Sequence, residues 1–200
     1  INPLSSQVYT HLGNAFLQKE NINDAIACYK KSININSENS KTHNNLGTAY
    51  KKKGLFEEAL TEYRKAIKID PYNPYANYNL GVMMDELDDF TAAINAYKVC
   101  IKLNHKHVEA LTNLAILYQE IGDIKLAIHT YNQALKISPD NAKLRWNLGI
   151  AQLLYGNYKE GLINYEWRFK NKNSNKLHAL PKSQPVLEDI TNIKENLLVI

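Results

Sequence analysis

The sequence predicts an all-α solenoid of five helix–turn–helix units, and three observations carry that prediction. Leu12-Gly13, Leu46-Gly47 and Leu80-Gly81 stand 34 residues apart, and the series continues in frame as Leu114-Ala115 and Leu148-Gly149. Tyr29, Tyr63, Tyr97, Tyr131 and Tyr165 keep the same period without an insertion, as do Ala25, Ala59, Ala93, Ala127 and then Gly161. Counting the residue six before each Leu as position 1, all eight glycines fall at positions 8, 15 or 20. Self-similarity at such a period marks a stacked repeat architecture. The units so defined are 6–39, 40–73, 74–107, 108–141 and 142–175.

Each unit holds two helical patterns. In the second, Leu46, Gly47 and Tyr50 share one face, and Ala59, Leu60, Tyr63 and Ile67 share another further on, at the spacing of amphipathic helices. Gly54, Gly122 and Gly156 lie between the patterns, where a helix end takes the left-handed conformation that glycine adopts cheaply. Asp70-Pro71 and Ser138-Pro139 follow the second helix, which proline cannot continue, and Asn73-Pro74 starts the next with a capping side chain. Glu57-Glu58 and Asp88-Asp89 are read as helix starts, favoured by the dipole. Small residues at positions 8, 20 and 27 let the helices approach, and the position-24 tyrosine fills the space beside them. Neighbouring units must stack to bury what one helix pair cannot.

With Leu-Gly, Tyr, Ala, an aromatic and Pro at these offsets, residues 6 to about 170 resemble the tetratricopeptide repeat (TPR) family. The resemblance implies a right-handed superhelix whose first helices line a concave groove. Ile1-Asn2-Pro3 takes repeat positions 30 to 32, like Ile69-Asp70-Pro71, so residues 1–5 are expected to end a preceding repeat. The fifth unit drifts: Arg168 replaces a small residue and Asn173 replaces Pro. Residues 171–195 read as an irregular linker and 196–200 as the opening strand of a following domain. Tyr165-Glu166-Trp167-Arg168, followed by a linker with Pro181 and Pro185, resembles bacterial TPR proteins whose repeats feed a glycosyltransferase-like domain. That resemblance supplies an alternative function, the recognition arm of a transferase whose catalytic part lies beyond residue 200. No catalytic residue carries over to this chain.

The leading expectation is a scaffold that takes an extended protein or peptide segment in its groove. Position 6 holds His11, Asn45, Asn79, Asn113 and Asn147, a ladder resembling the superhelix of O-GlcNAc transferase. A side-chain amide offers both a donor and an acceptor to a peptide backbone; the alternative is local hydrogen bonding. If the ladder serves the ligand, its replacement should leave stability nearly unchanged. The same face carries Tyr75, Tyr78 and Val82 in the third unit, Thr112 and Ile116 in the fourth, and Trp146 in the fifth. Aromatics of this kind anchor peptides, although Trp146, Leu153 and Leu154 would equally suit packing by a following domain. Position 5 reads Thr10, Asn44, Tyr78, Thr112 and Trp146, never the Lys that a carboxylate clamp needs.

Other chemistry is thin. His105-x-His107 reads as a solvated inter-repeat turn rather than a metal site, lacking further ligands. Cys28 and Cys100 lie two units apart, too far to bridge. No phosphate loop, nucleophile elbow or zinc signature occurs, so no catalytic residue, metal or cofactor is assigned. No apolar run approaches the roughly 18 residues that span a bilayer. Lacking a secretory signal, a membrane span or a disulfide framework, the chain is expected in the cytoplasm. The net charge of +4 suggests nucleic acid, but it is unevenly placed: +1 over residues 1–167, +5 over 168–187 and −2 over 188–200. A nucleic-acid binder spreads charge along its binding face, and here it gathers outside the repeats.

Overall fold

The computed structural model describes residues 5–170. The chain forms two compact units, residues 1–117 and 118–200. All regular structure among the described residues is helical. In the first unit, α1 (Ser6–Gln18) pairs with α2 (Ile22–Ile35), α3 (Ser40–Lys52) with α4 (Phe56–Ile69), and α5 (Pro74–Glu86) with α6 (Phe90–Leu103). The even helices also pack on the next odd one, α2 on α3 and α4 on α5, while α1, α3 and α5 touch as a layer. Helix α7 (Val108–Glu120) runs across the division. In the second unit, α9 (Ala142–Leu154) packs on both α8 (Ile124–Ile137) and α10 (Tyr158–Tyr165), and a 3₁₀ turn over Glu166–Lys170 closes on α9.

Several helix starts have a physical cause at a fixed repeat position. Position 34 caps the odd helices: Asn39 accepts from the Thr42 amide, Asn73 from Tyr75 and Ala76, and Asn141 from Leu144. His107 stands at the same position and its Nδ1 accepts from the Ala110 amide at 3.2 Å, so this imidazole carries its proton on Nε2. The expected solvated turn is therefore corrected at His107, which is buried; His105 is exposed. Asp89 and Asp123 cap α6 and α8. Asp88 is displaced from the expected helix start into the turn before it, with φ at +58°. That turn takes the left-handed conformation at position 15 in every unit: Gly54, Gly122 and Gly156 at +80°, +84° and +85°, Glu20 at +61° and Asp88 at +58°. At the last two an L-residue bears about 1–2 kcal/mol that glycine avoids.

The core follows the expected size logic. Tyr29, Tyr63 and Tyr97 are buried, and a Cβ placed on Gly13, Gly47 or Gly81 would lie 2.5, 2.7 and 2.7 Å from the respective rings. Stacking buries the position-7 leucine, leaving Leu46 3% exposed and Leu12, with no earlier described helix against it, 43%. The two thiols, Cys28 and Cys100, are free and buried. Burial raises both, Cys100 to about 12, so they are protonated spectators at neutral pH.

The fifth unit departs from the others. Helix α10 has eight residues where α8 has fourteen, and a Cβ on Gly149 would meet the backbone nitrogen of Tyr165 at 2.5 Å instead of a ring. The chain then tightens into the 3₁₀ turn. Trp167 lies under the Arg145 guanidinium at 4.5 Å and the Lys170 ammonium at 4.1 Å, while Arg168 covers Tyr165 and Phe169 at 4.2 Å each. Cation–π contacts thus hold the 3₁₀ turn at the end of the fifth repeat. The linker and strand expected over 171–195 and 196–200 lie outside the described residues, as do residues 1–4 of the expected preceding repeat.

One buried polar pair lies within the second repeat, and its histidine reaches back to the end of the first. His43 Nδ1 is 2.5 Å from Glu62 Oε2, and its Nε2 is 3.0 Å from the Ser37 carbonyl. Both neighbours accept, so satisfying both requires the imidazolium. The Glu62 hydrogen bond lifts His43 above its ordinary 6.5 against the opposing effect of burial. Burial alone would raise Glu62, but hydrogen bonds from His43 and Lys65 hold it below 4.5. Lys30, Lys65 and Tyr50 line the small cavity beside the pair.

Two outcomes are expected. Tyr97→Ala should cost about 3–5 kcal/mol through the cavity left and Gly81→Ala about 1–3 kcal/mol through overpacking, both read by denaturant unfolding; a silent Gly81→Ala would contradict the ring contact. The stability that the His43–Glu62 pair adds is fully present between pH 4.5 and 6.5. It fades as pH rises through the raised imidazole value, and again as pH falls through the lowered carboxylate value. The difference in Tm between the wild type and His43→Gln should therefore be largest inside that window, and a pH-independent difference would refute the assignment.

Candidate functional site

The candidate face is the layer of odd helices in the first unit. Asn45 lies on α3, Asn79 on α5 and Asn113 on α7, each half-buried. All three donate from the side-chain amide to the preceding repeat. Asn45 Nδ2 reaches Asn14 Oδ1 at 2.8 Å, and Asn14 also accepts from the Tyr29 hydroxyl at 2.7 Å. Asn79 Nδ2 reaches Asn44 Oδ1 at 2.8 Å and Thr48 Oγ1 at 3.4 Å, the latter accepting from Tyr63 as well. Asn113 Nδ2 makes long contacts to the hydroxyls of Tyr78 at 3.5 Å and Tyr97 at 3.4 Å.

The rungs are therefore half engaged. The donor side of each amide links one repeat to the last and meets the hydrogen-bonding demand of the core tyrosines. The acceptor side of Asn45 receives a long bond from Asn44 at 3.4 Å. Among the described residues no donor serves Asn79 Oδ1 or Asn113 Oδ1.

Around these rungs the face is aromatic. Tyr75 is 60% exposed and Tyr78 is half-buried, both leaning on the His107 ring at centroid distances of 5.8 and 4.7 Å. Tyr78 also meets Tyr97 at 6.1 Å. Burial raises the Tyr78 phenol, the Asn113 hydrogen bond opposes that, and the Glu109 charge adds to it. Val82 and Ile116 are half-buried, while Thr112 turns its hydroxyl back to the Val108 carbonyl at 2.7 Å. Across α3 and α5, Lys51 pairs with Glu86 at 2.7 Å.

In the second unit, Trp146 and Asn147 are half-buried on α9. Trp146 Nε1 is shielded from solvent without a hydrogen-bond partner among the described residues. The cap at position 34 recurs in sequence at Asn39, Asn73 and Asn141, and His107 hides the series by substitution. Among the described residues no group of three or more His, Cys, Asp or Glu side chains could hold a metal ion, and no helix is long and apolar enough to cross a membrane.

Stacked helix pairs with one open polar-aromatic face define a helical-repeat scaffold. The chain belongs to the tetratricopeptide repeat family, whose profiles match residues 13–54, 49–84, 74–107, 96–129 and 117–156. No curated protein matches it. Among solved structures, the MamA protein is 25% identical, with a TM-score of 0.72 over 88% of this chain and 96% of that one. YrrB, described as a TPR protein with an unusual peptide-binding site, is 19% identical, with a TM-score of 0.69 over 88% and 90% of the two chains. PilF of Pseudomonas aeruginosa is 18% identical, with a TM-score of 0.77 over 82% and 75%. The last two likenesses show the fold alone.

The engaged amides change one expectation. Asn79→Ala removes the donor to Asn44, a buried residue, and should lower stability by about 1–3 kcal/mol. Thermal unfolding indistinguishable from wild type would mean that the amide serves a ligand only.

Proposed function

We propose that the chain is a protein-interaction scaffold whose odd-helix face in the third and fourth repeats receives an extended peptide segment. The observation that carries this reading is the pairing of a 60% exposed Tyr75 with two half-buried asparagines whose carbonyl oxygens lack donors. A peptide N–H supplies the missing donor, and the tyrosine and the aliphatic groups of Val82, Thr112 and Ile116 receive side chains. The similarity to YrrB, described as carrying a peptide-binding site, supports the same reading.

Spacing supports a particular backbone form. Packed helices of successive repeats lie about 8–10 Å apart. A polyproline II segment turns once in three residues, about 9 Å, and so brings every third N–H to the same side. A β-strand alternates sides and meets such a ladder out of phase. Asn147 and Trp146, in the second unit, are proposed as contacts on the same structural logic, each rung serving its own stretch of ligand.

The test uses side-chain amide resonances. On titration with a pool of capped, randomised decapeptides, the signals of Asn79 and Asn113 should move, and those of Asn95 and Asn132, exposed on α6 and α8, should stay. Shifts confined to the even helices would sink this reading.

A further inference from the structure

Position 34 carries an amide side chain in Asn39, Asn73 and Asn141 and an imidazole in His107. Asn73 shows what the amide does there. Its oxygen caps α5, and its Nδ2 donates to Ser40 Oγ at 2.9 Å, on the first residue of the preceding odd helix. The side chain thus caps its own helix and fastens it to the start of the one before. One repeat later the residue equivalent to Ser40 is Pro74, which has no hydroxyl to receive an amide proton. An asparagine in place of the imidazole would keep the cap and lose that fastening.

His107 does both through its ring. Nδ1 accepts from the Ala110 amide at 3.2 Å and so caps α7. Glu109 Oε2 lies 3.2 Å from the same nitrogen, whose lone pair already takes the Ala110 proton, so in this tautomer the carboxylate receives none from it. The buried ring meets Tyr78 at a centroid distance of 4.7 Å and Tyr75 at 5.8 Å, tilted by 33° and 57°. Tyr78 in turn meets Tyr97 at 6.1 Å, and Tyr97 lies against Gly81. A run of rings therefore leads from the packed core of the third repeat out to Tyr75, with His107 as the link between Tyr78 and Tyr75. Tilted aromatic pairs of this kind add to the energy of burial alone. Tyr75, Tyr78, Asn79 and Val82 stand at i, i+3, i+4 and i+7 on α5 and so share one face. Holding the exposed Tyr75 ring before a ligand arrives lowers the ordering cost of binding on that face.

We propose that His107 is a positioning residue of the peptide groove: its ring holds Tyr75 and Tyr78 in place for the ligand, while its Nδ1 caps the helix that carries Asn113. This rests on the reading of the odd-helix face as a peptide groove and adds the residue that sets its aromatic wall. Imidazole serves here where asparagine serves in the other repeats, because one side chain must both accept an amide proton and present a ring.

Two substitutions separate the two duties. His107→Asn keeps a capping acceptor and removes the ring; His107→Phe keeps a ring and removes the acceptor. The readouts are hydrogen exchange at the Ala110 amide, the fluorine resonance of Tyr75 in protein made with fluorotyrosine (assigned through Tyr75→Phe), and retention on an immobilised pool of capped, randomised decapeptides. In His107→Asn the Ala110 amide should exchange at close to the wild-type rate, the Tyr75 resonance should move, and retention should fall about two- to tenfold, the worth of an aromatic pair. His107→Phe should speed exchange at Ala110 and restore both the Tyr75 resonance and retention; circular dichroism confirms that each variant is folded. Retention that falls with Tyr75→Ala but ignores His107→Asn overturns the positioning role and leaves the groove in place. Equal loss in His107→Asn and His107→Phe shows that a ring does not suffice and likewise overturns that role. Retention indifferent to Tyr75→Ala, or none by the wild type, overturns the groove itself.

Discussion

The contact on which the fold depends is a tyrosine ring laid against a glycine Cα. At Gly13, Gly47 and Gly81 the ring of the paired helix occupies the space where a Cβ would stand. That approach sets how closely the two helices of a unit lie, and therefore how far apart successive units stack. Each ring also carries a hydroxyl into the core, and a buried hydroxyl needs a partner. The partner lies on the odd-helix face: Asn14 for Tyr29, Thr48 for Tyr63, and Asp85 with Asn113 for Tyr97. The packing device of the even helices thus fixes the polar pattern of the opposite face.

From this comes a division of labour within single side chains. Asn45, Asn79 and Asn113 close the interface between repeats with their amide hydrogens, and among the described residues no donor serves the carbonyl oxygens of Asn79 and Asn113. Their orientation is set by the fold before any ligand arrives, which lowers the ordering cost of binding. On the proposed reading the same economy limits what such a ladder can read: acceptors suit backbone N–H groups and say little about side chains. On that reading selectivity belongs to the variable positions between the rungs, which in the third and fourth repeats include tyrosines, a valine and an isoleucine.

The period, the helix pairs and the tyrosine–glycine core were legible in the sequence because they depend on residue size and recur without insertion. The caps were partly legible: Asn73-Pro74 announces a helix start, whereas His107 does the same work through a ring nitrogen and reads as a surface histidine. Glu20 and Asp88 were hidden at the left-handed turn because the fold imposes a backbone conformation that their chemistry does not advertise. The asparagine ladder was visible as a series, but its orientation was not, since the choice between ligand and neighbour depends on where the Tyr97 hydroxyl and the Asn44 carbonyl oxygen come to rest. His43 and Glu62 lie 19 residues apart on different helices, and no sequence pattern marks them as a pair.

The fifth repeat shows what happens when the constraint is released. Gly149 keeps the glycine, yet the backbone of Tyr165 fills the place of the ring, and the shortened α10 cannot supply a full second face. The resulting surface is closed by stacked cations and aromatics, Arg145 and Lys170 on Trp167 and Arg168 on Tyr165, instead of by small residues. Such contacts tolerate solvent on one side, because an ammonium or guanidinium stays hydrated at its edge while its stem and the ring exclude water. Tyr165-Glu166-Trp167-Arg168 thus has a part in repeat geometry: a unit that loses the tyrosine–glycine lock holds its final turn by cation–π contacts.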